Sequence, residues 1–159
     1  MKQVLSEQEA FLRLATLCAQ AEHCEKEMRD KMKRWELDEA IQEKVISHLR
    51  KERYIDDERY ARAFVKDKIR YNKWGRKKIE QALWLKQIDQ DIQQRVLDEI
   101  DESEYLNVLK NLLKQKRKTI KAESNYEFNQ KLMRFALSRG FDFSIIRQCI
   151  DVDEEDETY

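Results

Sequence analysis

The stretch IEQALWLKQIDQDIQQRVL, Ile79 to Leu97, lies without a gap over MRDKMKRWELDEAIQEKVI, Met28 to Ile46, and over LMRFALSRGFDFSIIRQCI, Leu132 to Ile150. The offsets are 51 and 53 residues, and seven columns keep their chemical type: Met28/Ile79/Leu132, Met32/Leu83/Ala136, Leu37/Ile88/Phe141, Asp38/Asp89/Asp142, Ile41/Ile92/Ile145, Val45/Val96/Cys149 and Ile46/Leu97/Ile150. Six columns are apolar and the fourth is always aspartate. A fixed period near fifty residues that carries helical pattern, turn and helical pattern signals one supersecondary unit used three times.

Working outward, each unit reads as three helices with apolar spacing of three and four. The first has Ala10, Phe11, Leu14, Leu17 and Cys18, then Met28 and Met32 after Cys24, then Ile41, Val45, Ile46 and Leu49 behind Asp38. The second has Tyr60, Ala61, Phe64, Val65 and Ile69, then Ile79 and Leu83, then Ile92, Val96 and Leu97. The third has Tyr105, Val108, Leu109, Leu112 and Leu113, then Leu132 and Ala136, then Ile145, Cys149 and Ile150. Proline is absent and glycine occurs only at Gly75 and Gly140, which removes the usual punctuation of hairpins. The expected fold is all-α, with three tandem three-helix repeats over residues 1–53, 54–102 and 103–151 forming an elongated, curved array. Residues 152–159 are expected to be a disordered acidic tail.

The aligned aspartates are expected to cap helices, since a carboxylate there accepts from free N–H groups at the positive end of the dipole. Asp56 and Asp57 are expected to do the same for the first helix of the second unit. Gly140 suits the left-handed residue that ends a helix; Glu36 and Gln87 stand in its place in the other units, so those turns are expected to be strained or built differently. Trp35, Trp84, Tyr60 and Phe64 are expected to pack against helices. Between Leu113 and Leu132 the third unit gains about five residues over the second, and that insertion holds a basic run.

The stretch Tyr54-Ile55-Asp56-Asp57-Glu58-Arg59-Tyr60-Ala61-Arg62-Ala63-Phe64-Val65, followed ten residues later by Gly75 and Arg76, resembles the RecX family of bacterial recombination regulators. That family carries tyrosine, valine or isoleucine, two aspartates, any residue, arginine, an aromatic and alanine here, then a basic stretch with a glycine. Cys24-Glu25-x-Glu27-Met28 is similar to the family's serine-x-x-glutamate-leucine opening of a second helix. Two departures stand out: cysteine replaces the capping serine at position 24, and the glycine before the third helix is missing from units one and two. The resemblance implies a non-enzymatic modulator of the RecA recombinase, one that lies along the groove of the RecA–DNA filament and in several members of the family inhibits its ATPase, strand-exchange and co-protease activities.

Formal charge is zero, with 32 basic and 32 acidic side chains, yet the signs are unevenly placed. Arg62 to Lys78 holds eight basic residues against one acid, including Lys66, Arg70, Lys73, Arg76, Lys77 and Lys78 beside Tyr71 and Trp74. Lys110 to Lys121 holds Lys110, Lys114, Lys116, Arg117, Lys118 and Lys121 with no acid. Either tract can neutralise phosphates, and Trp74 or Tyr71 can stack on an exposed base; the bland alternative is solvated surface. The last nine residues hold six acids and no base; the bland reading of this tail is a solubilising one, and the sharper is that it competes with DNA for the basic tracts.

The partners expected from this reading are a RecA filament and DNA, the latter bound weakly and without sequence preference by a monomer. An alternative in another class is a helix-turn-helix array that binds DNA independently of RecA. Catalysis has no visible address: a nucleophile with its base, a phosphate-cradling glycine loop and a nucleotide fingerprint are absent, and no cofactor is expected. His23 and His48 lack metal-ligand spacing, so no metal is expected. Cys18, Cys24 and Cys149 are odd in number and lack CxxC spacing, which points to reduced thiols. No apolar run approaches the ~18 to 20 residues that span a bilayer and no signal-peptide pattern opens the chain, so a cytosolic protein is expected.

Overall fold

The computed structural model describes residues 4–150 of the 159-residue chain. Among them are nine helices and no strand: α1 (Glu7–Gln20), α2 (Glu25–Arg34), α3 (Glu39–Lys51), α4 (Asp57–Arg70), α5 (Arg76–Leu85), α6 (Gln90–Asp98), α7 (Glu102–Arg117), α8 (Asn125–Ser138) and α9 (Phe143–Cys149). The repeating apolar columns are the cores of these helices. Met28, Ile79 and Leu132 are buried, as are Met32, Leu83 and Ala136, and Leu37, Ile88 and Phe141.

The chain divides into two compact units, Met1–Phe64 with Leu83–Val96, and Val65–Ala82 with Leu97–Tyr159. The cut passes through the middle repeat, so α4, α5 and α6 each contribute residues to both. In the first unit, α3 packs on α1 and α2 over Ala10, Leu14, Met28, Met32, Val45, Ile46 and Leu49. Ser6 Oγ caps α1 by accepting from Glu9 N at 3.1 Å. At Cys24 the side chain has little capping power, and other groups supply it. Glu27 Oε1 accepts from Cys24 N at 3.1 Å, and Asp57 Oδ1 accepts from Glu25 N at 2.9 Å. Asp57 therefore serves α2 and not its own helix, which Asp56 caps through Arg59 N at 3.0 Å.

In the second unit, α7 packs on α8 and α9 over Tyr105, Leu109, Leu113, Leu132, Ala136, Phe141 and Ile146, with the Tyr105 and Phe141 rings 5.2 Å apart. Asp101 caps α7 and Ser124 caps α8. The extra residues of the third repeat lengthen its middle helix: α8 has 14 residues where α2 and α5 have 10. They also lengthen the connection from α7.

The turns before α3, α6 and α9 correct the expectation of unlike construction. Glu36, Gln87 and Gly140 all have positive φ, at 59°, 55° and 94°. The following N–H bonds back five residues in the same way each time: Leu37 N to Met32 O, Ile88 N to Leu83 O and Phe141 N to Ala136 O, all at 3.2 Å. This is one Schellman-type stop made three times. Where the left-handed residue is not glycine, a glutamine five residues beyond the turn's last position ties it: Gln42 Nε2 donates to Leu37 O at 2.8 Å and Gln93 Nε2 to Ile88 O at 2.9 Å. Beside Gly140 the same position is the buried Ile146.

The aspartate column is not uniform. Asp38 Oδ1 accepts from Ile41 N at 2.9 Å, whereas Asp142 stands at the N-cap of α9 without a side-chain cap bond. Trp35 packs partly buried on the first core, with Arg13 over its ring at 5.9 Å. Tyr60 is buried and its ring lies 5.9 Å from that of Phe64. Trp84, expected to pack, is instead 72% exposed beside Leu85 at 64%.

Candidate nucleic-acid and filament interface

The first basic tract from Lys66 onward and the whole of the second fall in the second compact unit. Lys66 and Arg70 lie on the last turns of α4, Lys73 and Trp74 in the α4–α5 loop, and Arg76, Lys77 and Lys78 on the first turn of α5. The start of α5 is held by backbone contact. Gly75 N donates to Arg139 O at 2.7 Å, Lys77 N donates to Gly140 O at 3.0 Å, and Arg76 N donates to the Tyr105 hydroxyl at 3.0 Å. A Cβ on Gly75 would meet the backbone of Gly140 and Phe141 closer than 3.0 Å, and one on Gly140 would lie 2.6 Å from Lys78 Cβ. The two glycines of the chain thus face each other. Their close approach, added to the positive φ of Gly140, is why both sites lack a side chain. Three of the N–H groups at this helix start are thus taken up by protein and are not free for a phosphate.

The first tract is also compensated by acids that lie far away in sequence. Arg70 Nε pairs with Glu104 at 2.9 Å, and Arg76 pairs with Glu102 while its guanidinium lies 4.5 Å from the Tyr105 ring centre. Lys73 Nζ donates to Arg70 O. Trp74 is half-buried, and the ammonium groups of Lys68 and Lys78 lie over its ring at 5.0 and 4.8 Å. Tyr71, by contrast, is 80% exposed. Lys66, Lys73 and Lys77 are the candidates in this tract that are exposed with no ion pair among the described residues.

The second tract is different. Lys110, Lys114, Lys116 and Arg117 occupy α7, Lys118 is its C-cap and Lys121 follows in the loop. None makes an ion pair among the described residues. Lys116 Nζ lies 4.7 Å from the Phe135 ring centre, Arg117 Nη2 donates to Cys149 O at 3.0 Å, and Lys118 Nζ reaches Gln115 Oε1 at 3.5 Å. None of these contacts neutralises the positive charge, and no described carboxylate does so. Lys116 and Lys121 also line a cleft of about 590 Å³ with Lys131, Arg134, Ile120 and Phe135, between the end of α7 and the lengthened α8. Lys131 is partly used there, paired with Glu127 at 3.1 Å and donating to Lys121 O at 2.7 Å. The cleft has no counterpart signal in the repeat columns, because it is made by the insertion.

The remaining chemistry-bearing side chains are accounted for by structure. Burial pushes the Cys24 thiol up to about 12 and raises Cys18 and Cys149 as well, so all three free cysteines are protonated thiols at neutral pH. His48 stacks on Phe11 at 3.7 Å and His23 lies 3.6 Å from Glu27. Among the described residues no group of three or more histidines, cysteines or carboxylates could hold a metal, and no helix is long and apolar enough to cross a membrane.

Fold and surface together define a class: a protein of repeated three-helix modules with, on the last of them, a basic surface that makes no ion pair among the described residues. Known proteins give that class a family. The first three-helix domain of RecX matches residues 10–49, the second matches 56–97 and the third matches 102–150. The chain is 36% identical over 128 residues to the regulatory protein RecX of Clostridium botulinum (strain Alaska E43 / Type E3), covering 79% of this chain and 59% of that protein. It is 34% identical over 130 residues to the regulatory protein RecX of Clostridium perfringens (strain 13 / Type A), covering 78% and 60%. The chain thus spans about three-fifths of the length of these relatives. The crystal structure of RecX from Lactobacillus salivarius has the same fold, with a TM-score of 0.82 at 20% identity over 96% of this chain and 97% of that one. A second crystal structure, of a regulatory protein RecX, matches with a TM-score of 0.83 at 21% identity over 90% of this chain and 72% of that one. The chain belongs to the RecX family of regulatory proteins.

Proposed function

We propose that this protein regulates RecA by binding the RecA–DNA filament along its groove, lowering ATPase, strand-exchange and co-protease activity through occupancy and not through chemistry of its own. Family membership supports RecA as the partner. The observation that carries the contact surface is the second basic tract, whose six cations have no acidic partner among the described residues, while in the first tract Arg70 and Arg76 are paired with Glu104 and Glu102. Uncompensated lysine and arginine on a helix favour phosphate contact by release of condensed counterions. Three linked modules, each ~25 Å across by compactness scaling, would allow one monomer to meet several protomers of a polymer. The action is cytoplasmic, where the three thiols stay reduced and RecA filaments form.

The reading predicts weak, sequence-indifferent and salt-sensitive binding to bare single strands, and much tighter binding once RecA is assembled on them. If all six tract-two cations met phosphates of a single strand, log K would fall with a slope of about −4 against log salt. Co-sedimentation with RecA filaments and fluorescence anisotropy on a labelled oligonucleotide check both halves. Selection of one duplex from a random pool, with no gain from RecA, would instead establish the helix-turn-helix alternative.

A further inference from the structure

The chain leaves the described fold at the basic surface. Arg117 Nη2 holds the carbonyl of Cys149 at 3.0 Å, two residues before the acidic segment begins at Asp151. From Lys110 to Arg139 there are nine basic side chains against two acidic ones, a surplus of seven; the segment Asp151–Glu157 brings six carboxylates and no base. Seven residues reach up to ~23 Å when extended, whereas Lys110 to Arg117 covers only ~10 Å of helix. The cleft between α7 and α8 adds an apolar floor of Ile120 and Phe135 beneath Lys116, Lys121 and Arg134.

We propose that the acidic segment Asp151–Glu157 docks in cis on this cleft and covers tract two until a competing polyanion displaces it. Tethering at Arg117 gives the segment an effective concentration in the millimolar range, so contacts too weak to hold a free peptide suffice. The cations it meets are Lys114, Lys116, Lys118, Lys121 and Arg134, since Lys131 is already paired with Glu127. The docked segment lowers the apparent affinity of any competitor by the fraction of molecules left open; nine in ten docked weakens it about tenfold. That the competitor is nucleic acid rests on the function proposed above, while the docking itself does not.

The test compares the full ¹⁵N-labelled chain with a full-length variant in which all six carboxylates are amides: Asp151→Asn, Asp153→Asn, Glu154→Gln, Glu155→Gln, Asp156→Asn and Glu157→Gln. At about 50 mM salt the amides of Lys121, Arg134 and Phe135, all remote in sequence from the change, should differ between the two proteins. They should converge near 0.5 M, where the screening length falls to a few ångströms. Identical spectra at low salt overturn the docking. In parallel, anisotropy on a labelled single-stranded oligonucleotide should show the amide variant binding about five- to tenfold tighter. Shifted amides with equal affinity support the docking and remove nucleic acid from tract two. Tighter binding without shifted amides means diffuse charge alone acts, and the docking falls.

Discussion

Gly75→Ala should be among the most damaging small substitutions in this protein, although position 75 touches no ligand. Its new methyl group would lie closer than 3.0 Å to backbone atoms of Gly140 and Phe141, which have no side-chain freedom to yield. Ordinary carbon contacts sit near 3.5–4.0 Å, so α5 must back away from the α8–α9 turn by on the order of 1 Å. That motion lengthens three hydrogen bonds now at 2.7, 3.0 and 3.0 Å, from Gly75, Lys77 and Arg76. At ~1 kcal/mol each they account for ~3 kcal/mol. Overpacking adds ~1–3 kcal/mol. The stiffer unfolded chain returns ~0.4–1 kcal/mol, leaving a net loss of about 4 kcal/mol. For a chain of this size the melting temperature should fall by ~8–16 °C. Circular dichroism melts measure the loss, and hydrogen exchange locates it: the Gly75, Arg76 and Lys77 amides should exchange faster while those of α3 do not. A melting temperature within about 2 °C of the parent would refute the close-approach argument, since relaxation would then be nearly free.

Other consequences are open to direct measurement. Glu36→Gly and Gln87→Gly should each stabilise by ~0.5–1 kcal/mol, because a left-handed non-glycine residue costs ~1–2 kcal/mol and the freer unfolded chain gives part of that back; chemical denaturation checks the sign. Glu27→Gln should show a pH signature. Burial raises the Glu27 carboxyl, but the Cys24 N–H and Lys86 outweigh it and hold the group below its ordinary 4.5. A depressed carboxylate stabilises above the unfolded value and loses that contribution as pH falls. The melting-temperature gap between parent and variant should therefore be widest near neutrality and shrink as pH drops through 4.5 and below.

The parts legible in the sequence were those written in local periodicity. Apolar spacing placed the nine helices, and Asp38 announced its cap. Whatever depended on chain segments meeting from a distance was hidden. Nothing near Arg70 or Arg76 hints that Glu104 and Glu102 neutralise them, so the two basic tracts look alike in sequence and differ in space. Gly75 reads as loop punctuation until Gly140 is placed against it. Asp57 looks like a cap for α4, yet it serves Glu25 of α2. The left-handed turns at Glu36 and Gln87 are concealed because propensity argues against them, while Gln42 and Gln93 supply the ties that hold the following carbonyls. Trp84 is large and stands next to the apolar column residue Leu83, which argues for packing, yet it lies one step off the column and is exposed.

On the function proposed above, this RecX-family protein acts on the RecA filament through the cations at the end of α7. The most direct measurement is single-stranded-DNA-dependent ATP hydrolysis by RecA at substoichiometric amounts of this protein, with the parent and with Lys114→Glu, Lys116→Glu and Arg117→Glu combined. The account predicts that the parent lowers the rate well below one molecule per RecA and that the triple reversal loses at least ~10-fold in potency, as three lost phosphate contacts require. A parent without effect on hydrolysis would contradict the regulatory reading, and a fully potent triple reversal would contradict its placement on α7.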